Sequence, residues 1–295
     1  MNKKKNNFFP KNFLKKKNSK KFSILKNFKA PLISVVMPSF NKVNYIEKSI
    51  LSVLNQNYQN IELIIIDGGS EDGTLEIIKK YNKFISYWVS EKDKGQSDAL
   101  NKGFKKTNGE ILCWLNSDDL FLPGALNAAS KTFEKNSKKK ICYGDWLSID
   151  ENDNIIDKHF AFDLNLNHLK YEGFHFNAQS LFWRKEVHKS FSGFDLRLNK
   201  TMDYQMMLEF SIKQSKIDFI RINKLLAAFR RYPGQKTGVY GKQEHKEHQY
   251  LSIKYQYQDK YKFCGKLKRF FFRFRRALWY FKRGGVAEFI KRILN

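Results

Sequence analysis

The chain has 295 residues, 42% of them hydrophobic, enough to bury the core of one large domain or two small ones, and this composition excludes a disordered protein. A formal charge of +26 points at first to nucleic acid or an anionic membrane. The charge sits at the ends, however: residues 1–29 hold 11 lysines and no acid, residues 260–295 hold 12 Lys or Arg against the single Glu288, and the stretch between carries only +4.

The expected organisation is a basic, disordered tail over residues 1–29, a globular domain over 30–240, and a basic helical extension over 241–295. Cys113, Cys142 and Cys264 are too few and too far apart for a disulfide framework or a zinc site, and they suit a reducing compartment. The N-terminus lacks the apolar segment and cleavage site of a secretory signal, and no run of about 18 apolar residues exists to span a bilayer. The expected location is the cytoplasm.

From Leu32 the pattern alternates. LISVVM reads as a buried strand, followed by a helix with Ile46, Ile50, Val53 and Leu54 on one face. ELIIID is a second strand, and after Gly68 and Gly69 comes a helix with Leu75 and Ile78 inward. ISYWV is a third strand, Ser97 to Lys106 a third helix, and ILCWL a fourth strand. Strands alternating with helices predict an α/β fold, a Rossmann-like and mostly parallel central sheet flanked by helices. Such sheets bind ligands beyond the carboxyl ends of their strands.

Polar residues gather at those ends. The first strand closes on Pro38, Ser39, Phe40 and Asn41, the second on Asp67, the third leads into Glu91, Lys92 and Asp93, and the fourth ends in Ser117, Asp118 and Asp119. Adjacent carboxylates repel each other and persist where a cation neutralises them, so Asp118 and Asp119 suggest a metal and an anionic substrate. The alternative is that they cap a helix starting near Pro123. The segment IDGGSEDGT lacks both GxGxxG and the P-loop lysine, so the glycines read as a tight turn, with Ser70 or Asp72 capping the next helix. Asp67 is an acceptor suited to the N–H or hydroxyl groups of a nucleobase or ribose. On the loop and first helical turn after the third strand, Lys94 is placed to meet a diphosphate and Asp98 a ribose, with solvated surface as the alternative for each.

The motifs VVMPSFN, IIIDGGSEDGT, EKDKGQSDALNKG and LNSDD, in this order and spacing, resemble those of the family 2 glycosyltransferases with a GT-A fold, over roughly residues 32–240. The resemblance implies transfer of a sugar from a nucleotide-diphosphate donor (UDP, GDP or dTDP) to an acceptor hydroxyl, with inversion at the anomeric carbon. It implies that Asp119 binds Mg²⁺ or Mn²⁺ bridging the donor phosphates and that Asp118 lies near the donor ribose or sugar. Many members carry a second acid after the second strand that contacts uracil; here that position is Gly68, and Asp67 is the residue left to take over the contact. In the family the catalytic base opens a helix after a GxFD-type turn. Here Gly193, Phe194 and Asp195 make that turn and Asp203 stands immediately before the apolar helix of Met206, Met207 and Phe210, so the resemblance implies Asp203 as the base, with a helix cap as the alternative, and Asp195 as an organiser of the turn. Near the acceptor stand His175 and Gln179. Around RRYPGQKTG, the side chains of Arg230, Arg231 and Lys236 are candidates to close over phosphate, and Tyr232 occupies the place where some relatives carry a metal-binding histidine.

In KLKRFFFRFRRALWYFKR, Leu267, Phe270, Phe271, Phe274, Leu278 and Phe281 fall on one helical stripe with arginines largely opposite, while Phe272 and Trp279 fall off it. This is the pattern of a helix lying in a membrane interface, or of one packed on the domain with a solvated basic face. With no RRM signature or zinc spacing, and an acidic rim on the sheet, no nucleic-acid partner is expected. The expected partners are a nucleotide sugar, a glycan or lipid-linked acceptor of bacterial surface polysaccharide (O-antigen or capsule), and the anionic inner face of the cell membrane.

Overall fold

Every residue of β1 (Ile33–Ser39) is buried, and its side chains alternate between two cores: Ile33, Val35 and Met37 enter one, Val36 the other. The same alternation sends Ile111 and Cys113 of β4 (Ile111–Trp114) to the first core and Leu112 and Trp114 to the second. This is the period of a strand covered on both faces. β1 pairs in parallel with β4 and with β2 (Ile61–Asp67), which pairs in parallel with β3 (Tyr87–Ser90). The register sets Ser39 beside Asp67 and Asp67 beside Ser90, so three strand ends meet on one edge. The computed structural model describes residues 9–10, 13–14, 30–163, 166–173, 176–214, 218–236, 241–257 and 263–294.

Helices α1 (Ile46–Leu54) and α4 (Ala125–Lys135) pack on the first face through Ile46, Ile50, Leu126 and Phe133. The second face takes Leu100 and Phe104 of α3 (Gln96–Phe104) and Met206, Met207 and Phe210 of α7 (Met202–Lys213). α2 (Thr74–Lys80) joins β2 to β3.

The parallel half matches the expected strands; the other half comes from residues that the alternation did not reveal. β5 (Leu120–Phe121), β6 (Ile141–Ile149), β7 (Ile155–His159), β8 (Leu181–Arg184) and β9 (Phe219–Arg230) extend the sheet to the order β3-β2-β1-β4-β8-β6-β9-β5, with β7 on β6. β8 is antiparallel to β4 and β6, while β6 and β9 are parallel with register shifts around Asp145. Those shifts bend the long β9 so that its far end pairs antiparallel with β5, directly after the two aspartates.

Toward the C-terminus, α5 (Leu166–Glu172), α6 (Lys185–Ser190) and α8 (Lys242–Lys254) surround the second core, to which α8 contributes Leu251. α9 (Phe263–Leu294) lies against α5 and is broken at Gly285, whose φ of 72° is a left-handed conformation suited to glycine. The two aromatics that fall off the predicted stripe hold this helix to the domain. Phe272 stacks on Tyr171, and Trp279 meets Phe162 edge-on. Arg276 pairs with Glu172 at 2.6 Å and Arg283 with Asp145 at 2.6 Å. No helix among the described residues is long and apolar enough to cross a membrane. Of the N-terminal tail, Phe9 and Leu14 pack against Leu120 and Leu122; the disorder expected for the rest of it lies outside the described residues.

A Cβ on Gly103 of α3 would stand 2.4 Å from Val36 Cγ1. Gly103→Ala is expected to cost about 1–3 kcal/mol of overpacking, more than the gain of up to ~1 kcal/mol in helix propensity, and to lower the urea midpoint.

Candidate active site

A cavity of about 1010 Å³ opens at the carboxyl ends of the parallel strands. One wall is the predicted rim: Pro38 and Ser39 after β1, Gly68 and Gly69 after β2, Lys92 and Asp93 after β3, and Asn116, Ser117 and Asp118 after β4. The facing wall comes from the second half of the chain, with Asp203 of α7, the 231–236 loop, Trp146 and His159 of β6 and β7, and Arg276 and Tyr280 of α9. This volume is at the upper end for a small-molecule pocket and has room for two substrates side by side.

Neither Asp118 nor Asp119 caps a helix, because β5 intervenes and α4 begins after Gly124 with no side-chain cap. The two carboxylates have different surroundings. Asp119 is fully buried: its Oδ1 accepts from the Arg230 amide at 2.8 Å and its Oδ2 from Asn116 Nδ2 at 3.1 Å. Burial, then the charge of Asp118, push its carboxyl well above the usual aspartate range. Asp118 lines the cavity, with Lys42 Nζ 3.1 Å from its Oδ2 and the Tyr232 hydroxyl donating to that same oxygen at 2.7 Å. Tyr232 thus stands at the acid pair, where the resemblance placed a residue of some relatives' metal sites.

Arg230 is no phosphate clamp. Its side chain is wholly buried, donating from Nε to the Asp118 carbonyl and from Nη1 to the Asp150 carbonyl, and lying 2.7 Å from Asp153. Arg231 and Lys236, by contrast, line the cavity.

Asp67 is also buried and does not line the cavity. Its carboxylate accepts from the Gly69 and Ser70 amides and from the Ser70 and Ser90 hydroxyls, which fixes the turn after β2 to the end of β3. The carboxylate at the cavity surface is that of Asp93: its Oδ2 lies 2.9 Å from where a Cβ of residue 68 would stand. Asp93 therefore fills the space of the side chain that Gly68 lacks. Its Oδ1 accepts from the Gly95 amide, and burial raises its carboxyl above the usual range. Lys94 is exposed and does not line the cavity, and Asp98 supports the start of α3 by accepting from the Lys94 amide at 3.1 Å. Lys92 and Gln96 reach the cavity from this segment instead.

Across the cavity, Asp203 sits in the first turn of α7, and burial lifts its carboxyl to about 6. Its position is set by Glu247 of α8, whose carboxylate accepts from the Asn199, Lys200 and Thr201 amides and the Thr201 hydroxyl. The turn before it is held by Asn101, which accepts from the Phe194 amide and donates to the Phe194 carbonyl. Asp195 stays in that turn, bound by Arg197. Burial lowers the Lys236 ammonium to about 8, with Asp203 opposing the shift. Lys236 donates to Gln96, Gln96 to Asn116, and Asn116 to Asp119, a hydrogen-bond chain running from the loop near Asp203 to the acid pair. Gln179 lines the cavity, and His175 lies outside the described residues.

Among the cavity residues, Lys42, Asp93, Trp146, His159, Arg276 and Tyr280 were not singled out as site residues by motif reasoning. Asp93 carried a signal, because its loop follows a parallel strand. The others depend on long-range packing.

Arg230→Met is expected to lower stability by about 3 kcal/mol, since it strips a buried charge from Asp153 and two carbonyls. Arg231→Ala is expected to leave the denaturation curve within about 0.5 kcal/mol of the parent.

Residues 34–192 match the family model described as Glycosyl transferase family 2. An uncharacterized glycosyltransferase of Rickettsia typhi is 31% identical over 193 residues, covering 62% of this chain and 60% of that protein. TuaG of Bacillus subtilis, named for teichuronic acid biosynthesis, is 39% identical over 92 residues, covering 30% of this chain and 36% of that protein. The matched stretches thus span no more than 60% of the length of these two relatives. Among solved structures, S. aureus TarS in complex with UDP-GlcNAc superposes with a TM-score of 0.63 at 16% identity, covering 75% of this chain and 66% of that one. The Pyrobaculum calidifontis mannosyltransferase PcManGT, in complex with GDP-Man and Mn²⁺, gives 0.51 at 16% identity, covering 73% and 61%. At such identity the likeness concerns the fold, which is of the GT-A type. The family match takes in more than half of the chain and every strand end of the rim from Pro38 to Asp118, and the protein belongs to glycosyl transferase family 2.

Proposed function

We propose that this protein transfers a sugar from a nucleoside diphosphate sugar to an acceptor hydroxyl, with inversion. The observation that carries this reading is one cavity with Asp118 on one wall and Asp203, its carboxyl raised by burial to about 6, on the other. Attack from the face opposite the leaving group requires a base on the acceptor side, and a pKa close to the working pH suits that role. Asp203 takes the proton from the incoming hydroxyl, and Glu247 keeps it in position.

On the donor side, Pro38, Gly69 and Asp93 form the nucleobase end, with Asp67 holding the turn beneath it. The Asp93 carboxylate accepts from a ring N–H, which uracil, thymine and guanine offer and cytosine lacks. This fits UDP, dTDP or GDP donors. Lys92 and Lys236 face the diphosphate, with Lys94 and Asp98 supporting the start of α3. Mg²⁺ or Mn²⁺ would be held by Asp118, which faces the cavity, together with donor phosphates. Asp119, which the resemblance implied as the ligand, is buried behind it with both oxygens taken by the Arg230 amide and Asn116. The described residues contain no trio of ligating side chains, and hard cations of this kind commonly complete their shell with phosphate and water. When bound, the ion supplies Lewis-acid stabilisation to the departing nucleoside diphosphate. The nucleotide sugars and Mn²⁺ named with TarS and PcManGT support this donor class. The name of TuaG supports a polysaccharide as product. We extend this to an O-antigen or capsule glycan built on a lipid-linked acceptor at the cytoplasmic face of the membrane.

A thermal-shift panel of nucleotide sugars with and without Mn²⁺ tests the donor reading; a selective rise in melting temperature is expected, and no rise with any of them would overturn it. Asp118→Asn should remove the Mn²⁺-dependent part of that rise. Transfer, followed as nucleoside diphosphate release, should increase as pH passes upward through about 6, where Asp203 loses its proton. Asp203→Asn should lower transfer by about 10²–10⁴ with the donor-induced thermal shift intact.

A further inference from the structure

α9 has two working faces. Its inner face holds Arg276 and Tyr280 in the cavity wall, beside the parallel stack of Trp146 on His159, whose ring centroids are 5.0 Å apart. Its outer face carries Leu267, Phe270, Phe271, Phe274, Leu278 and Phe281, which are 41–70% exposed. At about 100° of rotation per residue, exposed Lys266 and Arg273 lie along one border of this stripe and exposed Lys268, Arg275 and Lys282 along the other. An aromatic stripe bordered by cations on both sides matches the headgroup boundary of an anionic bilayer, where rings enter the acyl region and Lys and Arg reach the phosphates. A solvated helix face has no use for six exposed leucine and phenylalanine side chains in register, and the inner face is already packed.

We propose that α9 docks on an anionic bilayer by this outer face and thereby forms the partition between membrane and cavity. A helix with its side chains is about 10–12 Å across, so the acceptor end of the cavity lies roughly one helix diameter from the headgroups. The acceptor is then a lipid-anchored sugar whose accepting hydroxyl lies within one or two sugar units of its anchor, seated against Trp146. The preceding reaction is of the class that attaches the first sugar to a membrane lipid. This deepens the glycosyl-transfer reading and rests on it only for the nature of the acceptor.

The full chain is floated with vesicles of phosphatidylcholine alone and with equimolar phosphatidylglycerol. Flotation with the anionic vesicles only is expected, and the triple variant Phe270→Ser, Phe271→Ser, Phe274→Ser, at exposed positions, should cut the partition by about tenfold or more. Equal binding to both vesicles, or a triple variant that floats like the parent, would overturn the docking. So would absent flotation with a dimer that the triple variant loses, which would make the stripe a contact between copies. Orientation is read with a fluorophore at Lys158→Cys, beside His159 at the cavity rim, or at Lys79→Cys on α2 near the opposite sheet edge, each in a Cys264→Ser background. Headgroup nitroxide lipids should quench the first more than the second; equal or reversed quenching sinks the partition geometry. Finally, with the nucleotide sugar giving the largest thermal shift, diphosphate release should be faster with dodecyl glycosides in vesicles than with methyl glycosides of the same sugars. Equal rates overturn the anchored acceptor. If no nucleotide sugar binds, the donor reading fails while flotation and quenching still decide the docking.

Discussion

A carboxylate with no access to water has to be satisfied by the protein around it, and Asp119 is that group. The Arg230 amide and the Asn116 side chain occupy its two oxygens, while the Arg230 guanidinium holds the Asp118 carbonyl, the Asp150 carbonyl and Asp153. One residue of β9 thus fastens the end of β4 and the turn between β6 and β7 to each other. The two halves of the sheet are already joined where β4 pairs with β8, and this knot adds a second tie at the cavity edge, next to Asp118. The protein supplies its own cations to the acid pair, Lys42 to Asp118 and Arg230 beside Asp119, so adjacent acids here do not by themselves demand a bound ion.

The opposite wall is organised by a second buried acid. Glu247 is a surface-type residue on a polar helix, yet its carboxylate gathers three consecutive amides ahead of α7. Burial alone would raise its pKa, but these hydrogen bonds lower it overall, so it stays charged where a neutral residue would lose the loop. Asp203 has the contrasting setting. It receives little beyond the Tyr204 amide, and desolvation dominates. Two carboxylates brought together in space at one helix start therefore serve different ends, one as anchor and one as a titrating group.

What the chain revealed in advance follows from how local each signal is. The four parallel strands are continuous apolar runs, and the residues ending them could be placed on one rim because parallel pairing leaves no other arrangement. The exposed stripe on α9 was legible from its spacing, and the off-stripe Phe272 and Trp279, which blurred it, are the residues that bind the helix to the domain. β9 was not legible: its pairing with both β6 and β5 depends on register shifts that no short pattern encodes. The fate of Asp67 and Arg230 was hidden for the same reason. Each is a charged residue at a strand end, indistinguishable in sequence from a ligand-binding group, whose partners at Ser90 and Asp153 come from other parts of the chain.

The two walls of the cavity are separated along the chain as well as in space. The lining residues from Pro38 to Asp118 form one wall, and those from Trp146 to Tyr280 form the other. The family match ends at residue 192, before Asp203, the 231–236 loop and α9. A substitution in the later segments, at Trp146 or Tyr280, changes the far wall while the side chains from Pro38 to Asp118 keep their places. The two faces of the cavity can therefore be altered one at a time.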